Sequence, residues 1–228
     1  RSYEMLNKDL ARVKNRMKHL FRSRGVAYSK DTCPFCTGRG DCQKPGFHQI
    51  LERLRTQQEH LEPLKAEAQK AMVAEAKRHP ITRIIQTAPG FGPVRTAELL
   101  PIVINPYRFR TSRQFWCYCG LAIVRRSSAD WVQKPNGQWV WASSNQTRGL
   151  NRNFNRMAKA IFKGAAMTVV TSKNTERPLR QDYERLLANG TKPNLARLSL
   201  ARKIAATVLA MWKNKEAYDP GKYRLNNR

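Results

Sequence analysis

Apolar residues recur every three or four positions in several stretches of the chain, the spacing that places them on one side of an α-helix. The first two stripes consist of Leu6, Leu10, Val13, Met17 and Leu20, and of Ile50, Leu54, Gln57, Leu61, Leu64, Ala68 and Ala71. Both alternate steps of four and three, as a heptad repeat does, and Gln57 is the polar residue in the second seam. This pattern predicts an antiparallel coiled-coil hairpin within residues 1–80, which either packs on the rest of the chain or serves as a dimerisation arm.

The stretch TAPGFGPVRTAELL interrupts the helical pattern with two glycines and two prolines. Apolar positions before and after it predict two short helices joined by a tight turn over residues 84–100, where Gly90 and Gly92 allow close backbone approach. The free amides that begin the second helix would then suit a phosphate. One interpretation is the helix-hairpin-helix motif of DNA-handling proteins, which contacts the DNA backbone. The other is an ordinary turn between two helices that buries Phe91.

Two further patterns complete the predicted fold. In the sequence WVQKPNGQWVW, tryptophan alternates with valine around Trp139 to Trp141, after an Asn-Gly turn. This pattern predicts a β-hairpin with one buried face, within a segment spanning residues 120–143. Near the end of the chain, Leu200, Ile204, Thr207 and Met211 predict a helix with a broad apolar face. The fold class is therefore mainly α, with a helical domain over residues 81–218 and a basic, flexible tail at 219–228.

The net charge of the chain indicates what kind of partner it binds. The 228 residues contain 43 Lys and Arg against 16 Asp and Glu, a formal net charge of +27. Such a field attracts polyanions, and nucleic acid is the expected partner rather than a membrane, because no apolar run reaches the length of a spanning helix. Residues 101–175 hold twelve of the cations and one acid, Asp130, among six aromatic residues that either stack on bases or form a core. These are Phe109, Trp116, Tyr118, Trp131, Trp139 and Trp141.

The five cysteines, without a secretory signal, indicate a reducing cytoplasm. Between the first two helical stripes, residues 31–48 offer Cys33, Cys36, Cys42 and His48, which could bind one tetrahedral structural Zn²⁺. The alternative is a Gly-rich connector with reduced thiols. Cys117 and Cys119 lie in an apolar run and are expected to pack in a core.

Four segments in order resemble one enzyme family. They are PGFGPVRTAELLPIV, YRFRTSRQFWCYCGLAIVRRSSADW, TRGLNRNFNRMAKAIFKGAA and YERLLANGTKPNLARLSLARKIA, and together they span roughly residues 80–218. This part of the chain is similar to the C-terminal transposase domain of the insertion-sequence transposases of the IS one-ten group, the bridge-RNA-guided recombinases related to the Piv DNA invertase. The segment from Tyr3 to Gly25 looks like the start of the coiled coil in these proteins.

The resemblance implies DNA strand exchange through a covalent serine-DNA intermediate. In the family, a serine lies seven residues after the leucine of a glycine-leucine block, and counting from Gly120-Leu121 reaches Ser128. Ala129 stands where the family usually has glycine, and a gap of one residue would select Ser127 instead. Chemistry alone would assign such a serine pair to a turn. The resemblance also implies Mg²⁺ held by an Asp-Glu-Asp-Asp set in a RuvC-like domain, and no such set is visible in this chain.

The expectation is therefore a DNA-binding, serine-bearing portion of a transposase, truncated at its N-terminus and inactive alone. Its DNA contacts would come from cationic side chains and from the glycine turn, while Arg148, Arg152 and Arg156 could instead form a solvated helix face. The expected nucleic-acid-binding residues are Gly90, Gly92, Arg95, Arg125, Arg126, Arg148, Arg152, Arg156 and Lys159. Expected partners are DNA, structured guide RNA and further copies of the chain, in the nucleoid of a prokaryotic cytoplasm. The alternatives are a non-catalytic DNA- or RNA-binding module and a structural ribonucleoprotein component.

Overall fold

The computed structural model of the protein describes residues 2–29, 33–35, 44–125, 131–141, 147–172 and 178–225. The described residues are mainly α-helical, which confirms the fold class predicted from the sequence. They divide into two compact units, residues 1–75 and residues 76–228. No described helix combines the length and the apolar character needed to cross a lipid bilayer.

The first unit is built on two antiparallel helices, α1 (Ser2–Arg22) and the larger part of α2 (Pro45–Lys77). Helix α1 ends where Gly25 adopts a positive φ of 68°, which lets the Val26 amide bond back to the carbonyl of Phe21. The buried Phe21 ring packs edge-on against Phe47, which lies at the start of α2. The stripe predicted for α1 is buried from Leu10 to Leu20, so the pattern gave its core-facing side correctly.

The seam predicted for α2 is only half correct: at every second position, the residue next to the predicted one faces α1. Leu54 and Leu61 pack against the α1 cluster as predicted, but Ile50, Gln57 and Leu64 are exposed. The positions that face α1 are instead Phe47, Leu51 and the polar Gln58. Gln58 donates a hydrogen bond of 2.9 Å to Glu62, and Glu62 forms an ion pair of 3.1 Å with Lys14 of α1.

The second unit contains the remaining helices and strands of the described residues. Its helices are α3 (Ile81–Gln86), α4 (Pro93–Val103), a 3₁₀ turn (Pro106–Arg108), α5 (Ser112–Tyr118), α6 (Arg156–Thr171), α7 (Pro178–Ala188), α8 (Pro193–Asn214) and α9 (Pro220–Leu225). Its strands are β1 (Ile123–Arg125), β2 (Trp131–Gln133), β3 (Trp139–Trp141) and β4 (Thr147–Leu150). Residues 219–228 were expected to be flexible, whereas Pro220–Leu225 form α9 in the described part of this tail.

Helix α8 forms the centre of this unit, because α3, α5, α6 and α7 all pack against it. The predicted apolar face of α8 is buried at Leu200, Ile204 and Met211, while Thr207 is half-buried. Small residues allow α6 and α8 to approach closely: Ala165 on α6 and Ala201 and Ala205 on α8 are completely buried. The core also holds a chain of aromatic rings, from Phe91 to Phe162 to Phe115 to Phe109.

The four strands form two antiparallel pairs along one stretch of chain. Strand β1 pairs with β4, and the intervening β2 and β3 pair with each other as the predicted hairpin. In the hairpin, Trp131 pairs with Trp141 and Gln133 pairs with Trp139. Pro135, Asn136 and Gly137 form the turn, in which Gly137 has a φ of 82° and donates its amide to the carbonyl of Lys134 at 2.8 Å.

Candidate nucleic-acid interface

The turn between α3 and α4 packs into the core. Gly90 has a φ of 78° and lies so close to the backbone of Ala165 on α6 that a Cβ would overlap it. Phe91 is buried beside Phe162, with 5.7 Å between the ring centroids. Gly90 is therefore needed for the packing of the turn against α6. These contacts agree with the interpretation of the segment as a turn that buries Phe91. Whether its outer side contacts DNA stays a prediction.

The start of α4 is the open side of this turn. Gly92 precedes the helix in an extended conformation, and a Cβ added to it would meet nothing within 4 Å. No side chain caps the helix, so the first amides of α4 are available to an external acceptor. Arg95 in this first turn is half-buried, and its guanidinium donates a hydrogen bond of 2.6 Å to the Gly90 carbonyl beside Gly164 of α6.

The base of the β1–β4 pair is tied to the core at several points. Gly120 has a φ of 64°, and its Cα packs against the Phe154 ring. Arg202 of α8 donates a hydrogen bond of 2.6 Å from Nε to the buried Leu121 carbonyl. Burial lowers the pKa of Arg202 from its ordinary value. The Asn151 amide donates to the Ala122 carbonyl at 3.2 Å. These contacts fix the direction in which β1 leaves the core.

Three of the residues predicted for phosphoryl chemistry, Arg126, Ser127 and Ser128, lie outside the described residues. Arg125 is the last residue of β1, where its backbone pairs with Thr147. The role of Ser128, with Ser127 as its alternative, and the roles of the two arginines therefore stay predictions.

A group of cations surrounds the start of α6. Asn155 caps this helix through a 3.0 Å hydrogen bond from the Ala158 amide, and Arg152 and Arg156 on either side of the cap are exposed. Lys159 lies 4.1 Å from the centroid of the Phe154 ring. Burial, and secondarily the charge of Lys163, lower its pKa. Among the described residues, Arg152, Arg156 and Lys163 form no ion pair.

The arginines predicted to share a helix do not do so. Arg148 lies in β4, Arg152 lies in the following loop, and Arg156 is the first residue of α6. The interpretation as one solvated helix face is therefore wrong, because the three residues belong to three consecutive structural elements.

The aromatic residues divide into two groups. Phe109 is buried, Tyr118 bonds to the Ile102 carbonyl at 3.2 Å, and the Trp116 indole donates to the Arg202 carbonyl at 2.9 Å. These three belong to the core. Trp131 and Trp139 of the hairpin are 51% and 61% exposed, so the alternative in which these aromatic residues form a core is wrong for both, while stacking on bases stays a prediction.

The predicted zinc site falls largely outside the described residues. Cys36 and Cys42 are not among them, whereas Cys33 is half-buried beside the α1–α2 cluster and His48 lies in the first turn of α2. Among described residues no three His, Cys, Asp or Glu side chains converge on one point. Of the two cysteines expected in the core, Cys119 is buried and Cys117 is exposed.

Some residues of this region had no signal in the sequence. Arg202 stands among apolar residues of α8 without a local partner, and its bond to Leu121 spans 81 positions. Phe154, which supports both Gly120 and Lys159, follows an Asn-Arg-Asn stretch that only indicates a loop. These contacts depend on how distant segments pack.

Comparison with known proteins agrees with the resemblance. Residues 82–184 match the model of the transposase IS116/IS110/IS902 family. The chain is also 28% identical over 184 residues to the "Insertion element IS110 uncharacterized 43.6 kDa protein" of Streptomyces coelicolor. That alignment covers 80% of this chain and 40% of the relative, so the chain spans less than half the length of this curated protein. Over residues 82–184, the chain is therefore similar to the transposases of the IS116/IS110/IS902 family.

Proposed function

We propose that the chain is the DNA-binding and serine-bearing portion of a transposase that performs DNA strand exchange. The match of residues 82–184 to a transposase family carries this proposal. The exposed cations around the start of α6 support it, since DNA phosphates would neutralise them. The family is one whose members act on DNA, so DNA is the primary partner, and guide RNA and further copies of the chain are secondary ones.

In the proposed reaction, the Ser128 hydroxyl attacks a DNA phosphorus atom. The bond from Oγ to phosphorus forms, the bond from phosphorus to the leaving deoxyribose oxygen breaks, and that oxygen takes up a proton. A serine hydroxyl is a weak nucleophile unless a base or metal activates it and the charge on the phosphate is masked. Arg125 and Arg126 are proposed to mask this charge and to stabilise the transition state.

The cations at the start of α6 are proposed to hold the flanking backbone. A cation in the first turn of a helix is unfavourable beside the positive end of the helix dipole, and a bound phosphate removes that conflict. Arg156 and Lys159 occupy these positions, and the exposed Arg152 precedes them. Phosphate contacts of this kind fix position without reading sequence.

The described residues do not provide the Mg²⁺ site that the resemblance implies. Two-metal phosphoryl chemistry needs convergent carboxylates, and the described residues contain no such cluster. We therefore propose that the metal ligands lie outside this chain, and that the 228 residues bind DNA without nicking it. A plasmid-nicking assay of the chain with added Mg²⁺ tests this, and nicking by the chain alone would contradict it.

The serine is tested by trapping a covalent adduct between the full-length protein and labelled DNA on a denaturing gel. Ser128→Ala is expected to abolish the adduct, and Ser127→Ala is the matched control that retains it. An adduct lost only in Ser127→Ala would move the role to that residue. An adduct that persists in the double variant would refute serine catalysis.

The open start of α4 allows a test that separates DNA contact from folding. Gly92→Asp places a preferred cap at this position, so stability is expected to rise by a few tenths of a kcal/mol, while the carboxylate repels a phosphate. DNA affinity is expected to fall about tenfold, a loss of about 1.4 kcal/mol. Gly92→Asn has nearly the same shape and capping ability without the charge. Equal DNA affinity for the two variants would remove the α4 start from the interface.

A second candidate is a non-catalytic DNA- or RNA-binding module. The open start of α4 and the cations of α6 would serve it equally well, because neither requires a nucleophile. The adduct assay separates the two functions. In both cases affinity is expected to fall by about 10³- to 10⁵-fold between about 50 and 200 mM salt, if six to ten phosphates are contacted.

A further inference from the structure

The hairpin formed by β2 and β3 presents two tryptophans to solvent. Trp131 is 51% exposed and Trp139 is 61% exposed. Indole rings bury a large apolar area when they meet a partner, and they are costly to leave in water. We propose that this hairpin face stacks on the unpaired bases of single-stranded DNA. The inference deepens the proposed function, since strand exchange unpairs bases near the site of cleavage.

The strand register places both rings on one face. Trp131 pairs with Trp141, and two positions along, Gln133 pairs with Trp139. Residues two apart on a strand share a face, so Trp131 and Trp139 are diagonal neighbours. Diagonal positions stand roughly 7 Å apart, about twice the spacing of 3.4 Å between stacked bases. The two rings can therefore flank one base or contact successive bases.

The turn holds the two strands in this arrangement. The amide of Lys134 donates to the Gln138 carbonyl at 2.8 Å, and the Gly137 amide donates to the Lys134 carbonyl at the same distance. The Gln133 side chain adds a bond of 3.2 Å to the Gly137 carbonyl. A closed turn that contains Pro135 has little conformational freedom to lose, so the two strands are held in register before a ligand arrives.

Charge selects single-stranded DNA as the partner. Residues 131–141 contain one charged side chain, Lys134, and the second unit as a whole carries 28 Lys and Arg against 7 Asp and Glu. At this face a second copy of the chain would bring like charge, which disfavours it as the occupant. Single-stranded DNA supplies both partners that the face requires, because its phosphates pair with cations and its bases present flat rings.

The test compares single-stranded and duplex DNA by fluorescence anisotropy at fixed salt. The probes are labelled oligothymidine of about 16 nucleotides and a duplex of the same length. In W131A/W139A, oligothymidine binding is expected to weaken by about 5- to 150-fold per stacked base, with duplex binding and the salt slope unchanged. Leu195→Ala removes another exposed apolar side chain, on α8, and is expected to change neither affinity.

A second variant keeps the test independent of folding. W131F/W139F retains flat rings, so it is expected to bind oligothymidine within about tenfold of the parent, with a smaller quenching of indole fluorescence than stacking produces in the parent. Unaltered oligothymidine affinity in W131A/W139A, with duplex binding intact, would overturn the stacking face and leave the proposed function standing.

Two other results would also reassign the face. A quenching response to phosphatidylserine vesicles but not to oligothymidine would assign it to membranes. Tryptophan-dependent binding of oligouridine far tighter than that of oligothymidine would assign it to RNA. If the parent fails to bind the duplex at all, the proposed function fails.

Discussion

Gly90→Ala is the substitution that most directly tests how the α3–α4 turn is held. Gly90 has a φ of 78°, a conformation that side-chain-bearing residues rarely adopt, and its backbone lies against the Ala165 carbonyl of α6. The neighbour is helix backbone, which cannot rotate away as a flexible side chain would. The carbonyl of Gly90 also accepts the 2.6 Å bond from Arg95, so a displaced turn would lose this contact as well.

The cost follows from two separate effects. Placing a residue with a Cβ in a left-handed conformation costs about 1–2 kcal/mol, and forcing an extra carbon into a packed interior costs about 1–3 kcal/mol. Together they predict a loss of about 2–5 kcal/mol in the free energy of unfolding. For a chain of this size, 1 kcal/mol corresponds to about 2–4 °C, so the melting temperature should fall by roughly 5–20 °C.

Thermal unfolding followed by far-ultraviolet circular dichroism measures this effect, with Gly92→Ala as the matched control. Gly92 is two residues away in an extended conformation, and nothing lies within 4 Å of an added Cβ. Alanine is a poorer cap than glycine, and the cost there should stay near 1 kcal/mol or below. Equal melting temperatures for the two variants would refute the packing argument. A large loss at Gly90 would mean that DNA-binding assays of this turn must use Gly92.

Three other substitutions probe the second unit. Arg202→Met leaves the buried Leu121 carbonyl without its donor and should cost about 1–3 kcal/mol in urea unfolding, against less than about 1 kcal/mol for Arg185→Met, which breaks only a surface ion pair. Ile104 is 75% exposed with a φ of 58°, so Ile104→Gly should raise the free energy of unfolding by about 1 kcal/mol. Burial raises the pKa of Cys119 above its ordinary value of 9.0, so the unfolded chain loses this proton first as the pH rises. Above about pH 9, the free energy of unfolding of the parent should fall by about 1.4 kcal/mol per pH unit relative to that of Cys119→Ala. An equal pH dependence of unfolding in the two proteins would contradict this.

The elements of this fold are largely readable from local sequence patterns. The predictions match the structure for the stripe on α1, the apolar face of α8, the two short helices joined by the Gly90 turn and the β2–β3 hairpin. Each depends on residues within about a dozen positions of one another. Periodicity and turn residues determine such elements before any distant contact forms.

The α2 seam shows why local patterns can select the wrong face. Leu54 and Leu61 belong equally to a stripe through Ile50 and to a stripe through Leu51, because helical spacing accepts steps of three and of four. The choice depends on Phe47, which packs against both Phe21 and Phe35. These aromatic contacts join segments far apart in the chain, so no window of sequence contains the information.

The sequence shows which residue types the candidate interface contains, but it does not show how they are arranged. Arg148, Arg152 and Arg156 are predicted to contact the DNA backbone, and Arg152 and Arg156 are exposed beside the start of α6. Their assignment to one helix face failed because the chain turns at Asn155, which caps the helix. For the hairpin tryptophans, stacking on bases and burial in a core both fit the sequence, because alternation alone does not reveal whether another layer covers a strand pair. Burial is a property of the tertiary packing.

The position of the charges, beyond their number, favours a polyanionic partner. None of the helices α2 to α9 has an acidic residue in its first turn, although aspartate and glutamate would stabilise a helix there. In α4 and α6 the first turns instead carry Arg95, Arg156 and Lys159. Such an arrangement lowers the stability of the isolated chain, because like charges meet at the positive ends of the dipoles. Phosphates bound at these ends would reverse the sign of that contribution, so the proposed DNA binding would stabilise the same helix ends.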